Sequence, residues 1–177
     1  MFQMIVTVVA IGLGIILAVA SAPYIGETFL ASSSQGHVAT LVGQGQQISS
    51  AAALYHNERV RRAYKEAGGN GVAAVQELAD RDFLSSLPSV PEEAFQGAAR
   101  QWRLHAQRYA YVDGLLAEIC NRVNREAGMP DANVKDGIAA EFSAQAIQSP
   151  DGDQLPYGCA SAQSADTPKN YEFRYAW

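Results

Sequence analysis

The side chains best suited to metal binding or nucleophilic chemistry are two cysteines, Cys120 and Cys159, and three histidines, His37, His56 and His105. Their spacing supports neither role. The cysteines are 39 positions apart, form no C-x-x-C pair and have no histidine close by, so no zinc clip and no thioredoxin-like motif is written here. The paired carboxylates Glu92-Glu93 and Asp151/Asp153 sit beside prolines or Gly152, in sequence that reads as solvated turn rather than as a calcium or acid–base site. G-x-S-x-G, H-E-x-x-H, a Walker A loop and a strand-borne G-x-G-x-x-G are all missing. No catalytic residue, metal or cofactor is expected, which turns attention to the elements themselves.

The chain has 177 residues, of which 48% are hydrophobic and only 18% charged, a composition that folds rather than stays disordered. Its net charge of −5 argues against electrostatic binding of nucleic acid. The charges are unevenly placed. Up to Glu58 there is no Lys or Arg and only two acids, Glu27 and Glu58; all 13 basic residues lie from Arg59 onward.

Met1 to Ala22 is an apolar run whose polar members, Gln3, Thr7 and Ser21, are uncharged. About 20 such residues in a helix span ~30 Å, the hydrocarbon thickness of a bilayer. Three readings fit it. A cleaved secretory signal is suggested by Ala20-Ser21-Ala22 but opposed by the missing basic n-region and by Pro23 just after the cut. An ordinary single-span anchor normally carries flanking cations, and here the nearest is Arg59. The third reading, the one favoured here, is an apolar segment whose orienting charges stood on a leader since removed. Gly12 and Gly14 weaken the helix mid-segment and Pro23 closes it, so residues 12–23 are expected to kink or melt on leaving lipid.

From Tyr24 to about Ala67, Val38, Leu41, Gly45, Ile48, Ala52 and Tyr55 recur at helical steps. The expectation is a nearly continuous helix from Met1 to about Ala67, ~100 Å long, stopped by Gly68-Gly69-Asn70-Gly71. Its basic end, Arg59, Arg61, Arg62 and Lys65, reads as solvated charge at the negative pole of the helix dipole. Beyond it a head is expected. It would comprise a short helix over Val72–Leu84 ended by Pro88 and Pro91, a strand over Gln101–Asp113 and a helix over Leu115–Ala127 capped by Gly128. Asn133–Gln148 fits either a helix or a strand pair, and Ser149–Asp153 reads as a turn. In the final strand Tyr171, Phe173, Tyr175 and Trp177 share one face, expected to pack on the Leu41–Tyr55 stretch of the helix or against another subunit. Two cysteines in an exported head read as one disulfide, tying the Leu115–Ala127 helix to the loop before the last strand; two free buried thiols are the alternative.

This layout resembles the type IV pilin family. A mature type IV pilin begins with an apolar helix of about 20 residues, carries a helix-weakening glycine and a proline, continues as a long helix, and ends in a sheet-bearing head pinned by a disulfide. Gly12, Gly14 and Pro23 match in place. The segments AEICNRVNREAG (Ala117–Gly128) and PYGCASA (Pro156–Ala162), before an aromatic last strand, resemble the type IVb branch of toxin-coregulated and conjugative thin pilins, as does the start at Met1. One departure stands out: pilins usually carry a glutamate at the fifth mature position, where this chain has Ile5, which leaves a minor pilin open as well as a major one.

The resemblance implies an α+β, pilin-like fold: an apolar segment 1–23, a helical stalk 24–67 and a head 68–177. It implies a structural subunit held in the inner membrane before assembly, then polymerised with identical copies by pilus machinery into an extracellular surface filament. Met1, Phe2, Val9, Leu13 and Ile16 would lie in the filament core. A secretion-system pseudopilin, or another membrane-anchored periplasmic binding component, is the alternative.

Overall fold

The computed structural model describes residues 33–57, 63–97, 100–106, 109–142, 146–161 and 171–177. The apolar segment Met1–Ala22, with Gly12, Gly14 and Pro23, lies outside them, as do Arg59, Arg61 and Arg62. Among the described residues no helix is long and apolar enough to cross a membrane.

Helix α1 occupies 33–57. Its buried stripe is the periodic one: Val38, Leu41, Ile48 and Tyr55 are fully buried, with Gly45 between them and Ala52 packed alongside. α2 (Ala63–Glu66) is one turn long. The glycines that follow it, Gly68 and Gly69, have positive φ and turn the chain into α3 (Gly71–Asp80). There the Asn70 side chain caps the helix, accepting hydrogen bonds from the amides of Val72 at 3.0 Å and Ala73 at 3.2 Å. α3 ends at Asp80, not at Leu84. Asp82, with φ 62°, breaks it well before Pro88, so the prolines are not its terminators.

Gln101–Asp113 is not one strand but a hairpin. β1 (Arg103–His105) turns at Ala106 and pairs antiparallel with β2 (Tyr109–Leu115). The alternation over the whole stretch misled because both arms keep the same faces: Trp102, Leu104, Ala110 and Val112 are buried, Arg103, His105, Tyr109 and Tyr111 half-buried on the other side. Leu115, expected to open a helix, is the last residue of β2, and α4 runs Ala117–Glu126. α4 closes with a Schellman motif at Gly128 (φ +110°). The amide of Met129 donates to the carbonyl of Asn124 at 2.9 Å and that of Gly128 to Arg125 at 3.2 Å.

Within Asn133–Gln148, residues 133–140 form turns closed by an Asn133–Ile138 bridge, and the strand reading holds for the described ends of the rest: β3 (Glu141–Phe142) pairs with β4 (Ile147–Gln148), and β4 with β5 (Gln154–Leu155) through the Ser149–Asp153 turn. β6 (Tyr157–Ser161) and β7 (Tyr171–Ala176) complete a four-stranded antiparallel sheet in the order β1-β2-β7-β6. β7, with its aromatic face, therefore stands inside the sheet, paired to β2 and β6.

The sheet has two dissimilar faces. On one, Leu104, Val112, Tyr171 and Phe173 join the α1 stripe and Ile119, Cys120 and Val123 of α4 in the main core. On the other, at the β6 end, Ile147 and Ala140 stand within van der Waals reach of Gly158, where a side chain would collide with them at 2.7 and 2.8 Å. They belong, with Met129 and Ala132, to a second small core that the three-stranded sheet closes over. The architecture is thus α+β, with an amphipathic helix laid on an antiparallel sheet.

Candidate functional site

Three features of the head are built from residues that come from distant parts of the chain. The first is the seam between α1 and the sheet. Gly45 meets the side chain of Tyr175 so closely that an added Cβ would lie 2.8 Å from the tyrosine Cβ. The residue just before it, Gln44, bridges two elements: its Oε1 accepts from the Trp102 indole N–H at 2.8 Å and its Nε2 donates to the Ser89 carbonyl at 2.6 Å. Trp102 in turn stands edge-on to Phe173 at 5.8 Å. At the far end of α1, Tyr55 packs edge-on to Phe83 at 5.1 Å and donates its hydroxyl to Glu66 of α2. Burial, reinforced by that hydrogen bond and the Glu66 charge, raises the Tyr55 phenol above its ordinary value.

Of the four rings expected on the helix, Tyr175 meets it directly, and two more lie in the core that α1 shares with the sheet. Tyr171 and Phe173 are buried and Tyr175 touches Gly45, but Trp177 is 37% exposed and takes no part in the buried face. Glu172 and Arg174 point to the opposite face, as alternation requires.

The second feature is the Cys120–Cys159 disulfide, with a Cα–Cα separation of 5.3 Å. Cys159 lies within β6, not in the loop before the last strand, so the bridge bolts α4 directly to the sheet. Beside it Asn124, fully buried on α4, accepts from the Cys159 amide and donates to the Cys159 carbonyl, both at 2.8 Å. The Ala140 amide also reaches that carbonyl, at 3.3 Å. The free edge of β6 is therefore occupied at its middle residue. The other sheet edge, β1, is met by the start of α3, where a Cβ on Gly71 would lie 2.6 Å from the Leu104 carbonyl oxygen.

The third feature is the charged, aromatic outer face of the sheet. Asp113 and Glu172 are cross-strand partners, a like-charge pairing that costs stability unless compensated. Arg103 stands 3.5 Å and Arg100 3.9 Å from Asp113, and Arg174 pairs with Glu172. Arg100 lies directly over the β-bulge at Gly114, whose missing side chain and φ of +90° make room for it. The Arg174 guanidinium is held between two rings, 4.5 Å from the Tyr109 centroid and 4.1 Å from that of Phe142. His105 stacks on Tyr109 at 4.6 Å; burial first, and the Arg174 charge second, lower its pKa. Between this face and the 134–142 segment opens a cavity of about 550 Å³ whose lining includes Glu141, Phe142, Ser161, Glu172 and Arg174.

Of the residues singled out from sequence, Cys120 and Cys159 are brought together. Met1, Phe2, Val9, Leu13 and Ile16, and the helix-weakening Gly12, Gly14 and Pro23, lie outside the described residues. His37 and His56 stand near opposite ends of α1, and His105 is on β1. Among the described residues no group of three or more His, Cys, Asp or Glu could hold a metal ion. Gln44, Asn124 and the Arg174 stack escaped the sequence reading. An isolated amide on a helix face gives no periodic signal, and only the register of β2, β6 and β7 shows which charges meet. Comparison with family models, with curated proteins and with solved structures found no match.

Proposed function

We propose that this chain is a structural subunit of an extracellular helical filament of the type IV pilin kind, closest to its type IVb branch. The observation that carries the reading is the α1 seam. A helix following a bilayer-length apolar segment is clamped on one side by an antiparallel sheet, to which the disulfide separately bolts α4. The other side of α1, with Gly36, Ala39, Gly43, Gln47 and Ser50, is exposed. Met1–Ala22 would reside in the inner membrane and then, on extraction by pilus assembly machinery, pack against identical segments in the filament core, exchanging lipid burial for protein burial. Head-to-tail contacts that do not close generate an open helix. The role is architectural, with no catalysis, cofactor or nucleic acid in it.

The test is expression of the full chain together with a prepilin peptidase and assembly ATPase, with sheared surface material viewed by negative stain. Filaments are expected from the parent chain and none from Val9→Asp or Leu13→Lys, while those variants keep the disulfide-bonded head. Normal filaments from either variant would overturn the core assignment. Polymers that never grow beyond short stubs would identify the secretion-system alternative instead.

A further inference from the structure

The cavity on the outer face of the sheet has a lining that matches one ligand chemistry, and we propose that it binds a neutral saccharide. Its volume of about 550 Å³ falls within the range that holds small organic ligands, roughly 300–1,000 Å³. Part of its wall is apolar, with Val134 and Phe142 among the lining residues. Its polar groups are Glu172, Arg174, Glu141 and Ser161.

The charge pattern selects the ligand. Glu172 and Arg174 are paired, so together they offer no net charge. A free anion would meet Glu141, the carboxylate outside that pair, and an arginine already taken by Glu172. A cation would find only the exposed Glu141 outside the pair, beside a guanidinium held in place. A neutral, hydroxyl-rich ring is different, because each hydroxyl both donates and accepts. Adjacent hydroxyls can donate to carboxylate oxygens while accepting from guanidinium N–H groups, and the C–H face of the sugar packs on the apolar wall.

The arrangement is also fixed in advance. The Arg174 guanidinium is clamped between Tyr109 and Phe142 and hydrogen-bonded through Nε to Glu172, so a ligand orders little on binding. The cavity lies on the sheet face turned away from the α1 seam, and the inference does not rest on the filament reading.

The experiment is an NMR titration of the full chain, held in a detergent without sugar groups, with the methyl glycosides of glucose, galactose, mannose and N-acetylglucosamine. Glucuronate and glucosamine serve as anionic and cationic comparisons. Concentrations run to about 50 mM, well above the ~1 mM dissociation constant of a weak site, equivalent to about −4.1 kcal/mol. At least one neutral glycoside is expected to shift the backbone amides of Ala140, Glu141, Ala160 and Ser161 saturably. Glu141→Arg, an exposed change on the rim that leaves the core intact, should weaken that binding about tenfold, ~1.4 kcal/mol. Ala160→Phe, which fills the cavity, should abolish it. Three results overturn the proposal: no saturable shift with any neutral glycoside, tighter binding of glucuronate or glucosamine, or unchanged binding in both variants. If Ala160→Phe does not fold, Glu141→Arg alone decides.

Discussion

Gly45→Ala tests the α1 seam, because local propensity and tertiary packing predict opposite signs for it. In a helix interior, alanine is favoured over glycine by about 1 kcal/mol. Two positions earlier, at Gly43, an added Cβ meets nothing within 4 Å, so Gly43→Ala should stabilise the chain by roughly that amount. At Gly45 the new Cβ would sit 2.8 Å from the Cβ and 2.9 Å from the Cγ of Tyr175. Those atoms are the root of the side chain and cannot swing away, so helix and sheet must separate, an overpacking cost of about 1–3 kcal/mol. Set against the propensity gain, Gly45→Ala should be neutral to destabilising by about 2 kcal/mol. The two variants should then differ by about 1–3 kcal/mol. At ~2–4 °C per kcal/mol for a chain of this size, that is a gap of about 2–12 °C in Tm. Thermal melting of the full chain, with all variants in one detergent, reads it directly. If Gly45→Ala raises Tm as much as Gly43→Ala does, Tyr175 does not press on α1 and the seam is wrong.

The same seam and the disulfide give further expectations. Phe173→Ala, at a fully buried ring, should cost about 3–5 kcal/mol, whereas Trp177→Ala at the exposed end should cost well under that in the same urea titration. Cys120→Ser or Cys159→Ser should lower stability by about 2–5 kcal/mol, and intact mass with and without reductant should show the bridge in the parent chain. Asn124→Leu leaves the Cys159 amide without its partner in a buried place and should cost about 1–3 kcal/mol even with the disulfide intact; an unchanged urea midpoint would refute that. For His105, whose pKa is lowered in the fold, protons bind the unfolded chain more readily. Its contribution is therefore complete above pH ~6.5 and lost as pH falls through the folded value, so His105→Gln should flatten the decline in Tm between neutral and mildly acid pH. Tyr55 has the opposite sense: its raised pKa means that stability falls as pH climbs above ~10, and Tyr55→Phe should remove that alkaline loss.

What could be read from the chain was whatever depends on one local period. The α1 stripe from Val38 to Tyr55, the Gly128 cap and the alternating final strand each announce themselves within a dozen residues, and all three stand in the fold. Failures came where two elements share a phase. β1 and β2 keep their faces across the turn at Ala106, so the hairpin read as one strand, and Leu115 continues a buried pattern from strand into helix. Pro88 and Pro91 are the breakers visible in the sequence after α3, whereas Asp82, whose positive φ ends the helix, carries no sequence mark of that conformation. The outer-face cluster was invisible for a different reason. Asp113, Phe142, Glu172 and Arg174 become neighbours only through the antiparallel register of β2 with β7 and the fold-back of 134–142.

These contacts also restrict how the head can meet another copy of itself. An antiparallel sheet with open edges invites strand addition, an uncontrolled route to association. Here one edge is occupied at Cys159 by Asn124 and Ala140, and the other is abutted at Leu104 by Gly71 of α3. The aromatic strand β7 is enclosed between β2 and β6. Edge growth is thereby blocked by two devices that come from different helices and from opposite ends of the sheet. Contacts between copies are left to surfaces, and α1 offers an ordered one whose side chains are mostly small and uncharged: Gly36, Ala39, Gly43 and Ser50 allow close approach of another helix, and Leu54, 55% exposed, gives it one large apolar contact. A head with both sheet edges contacted and a slim helical face exposed directs contacts between copies to that face of α1 rather than to strand addition.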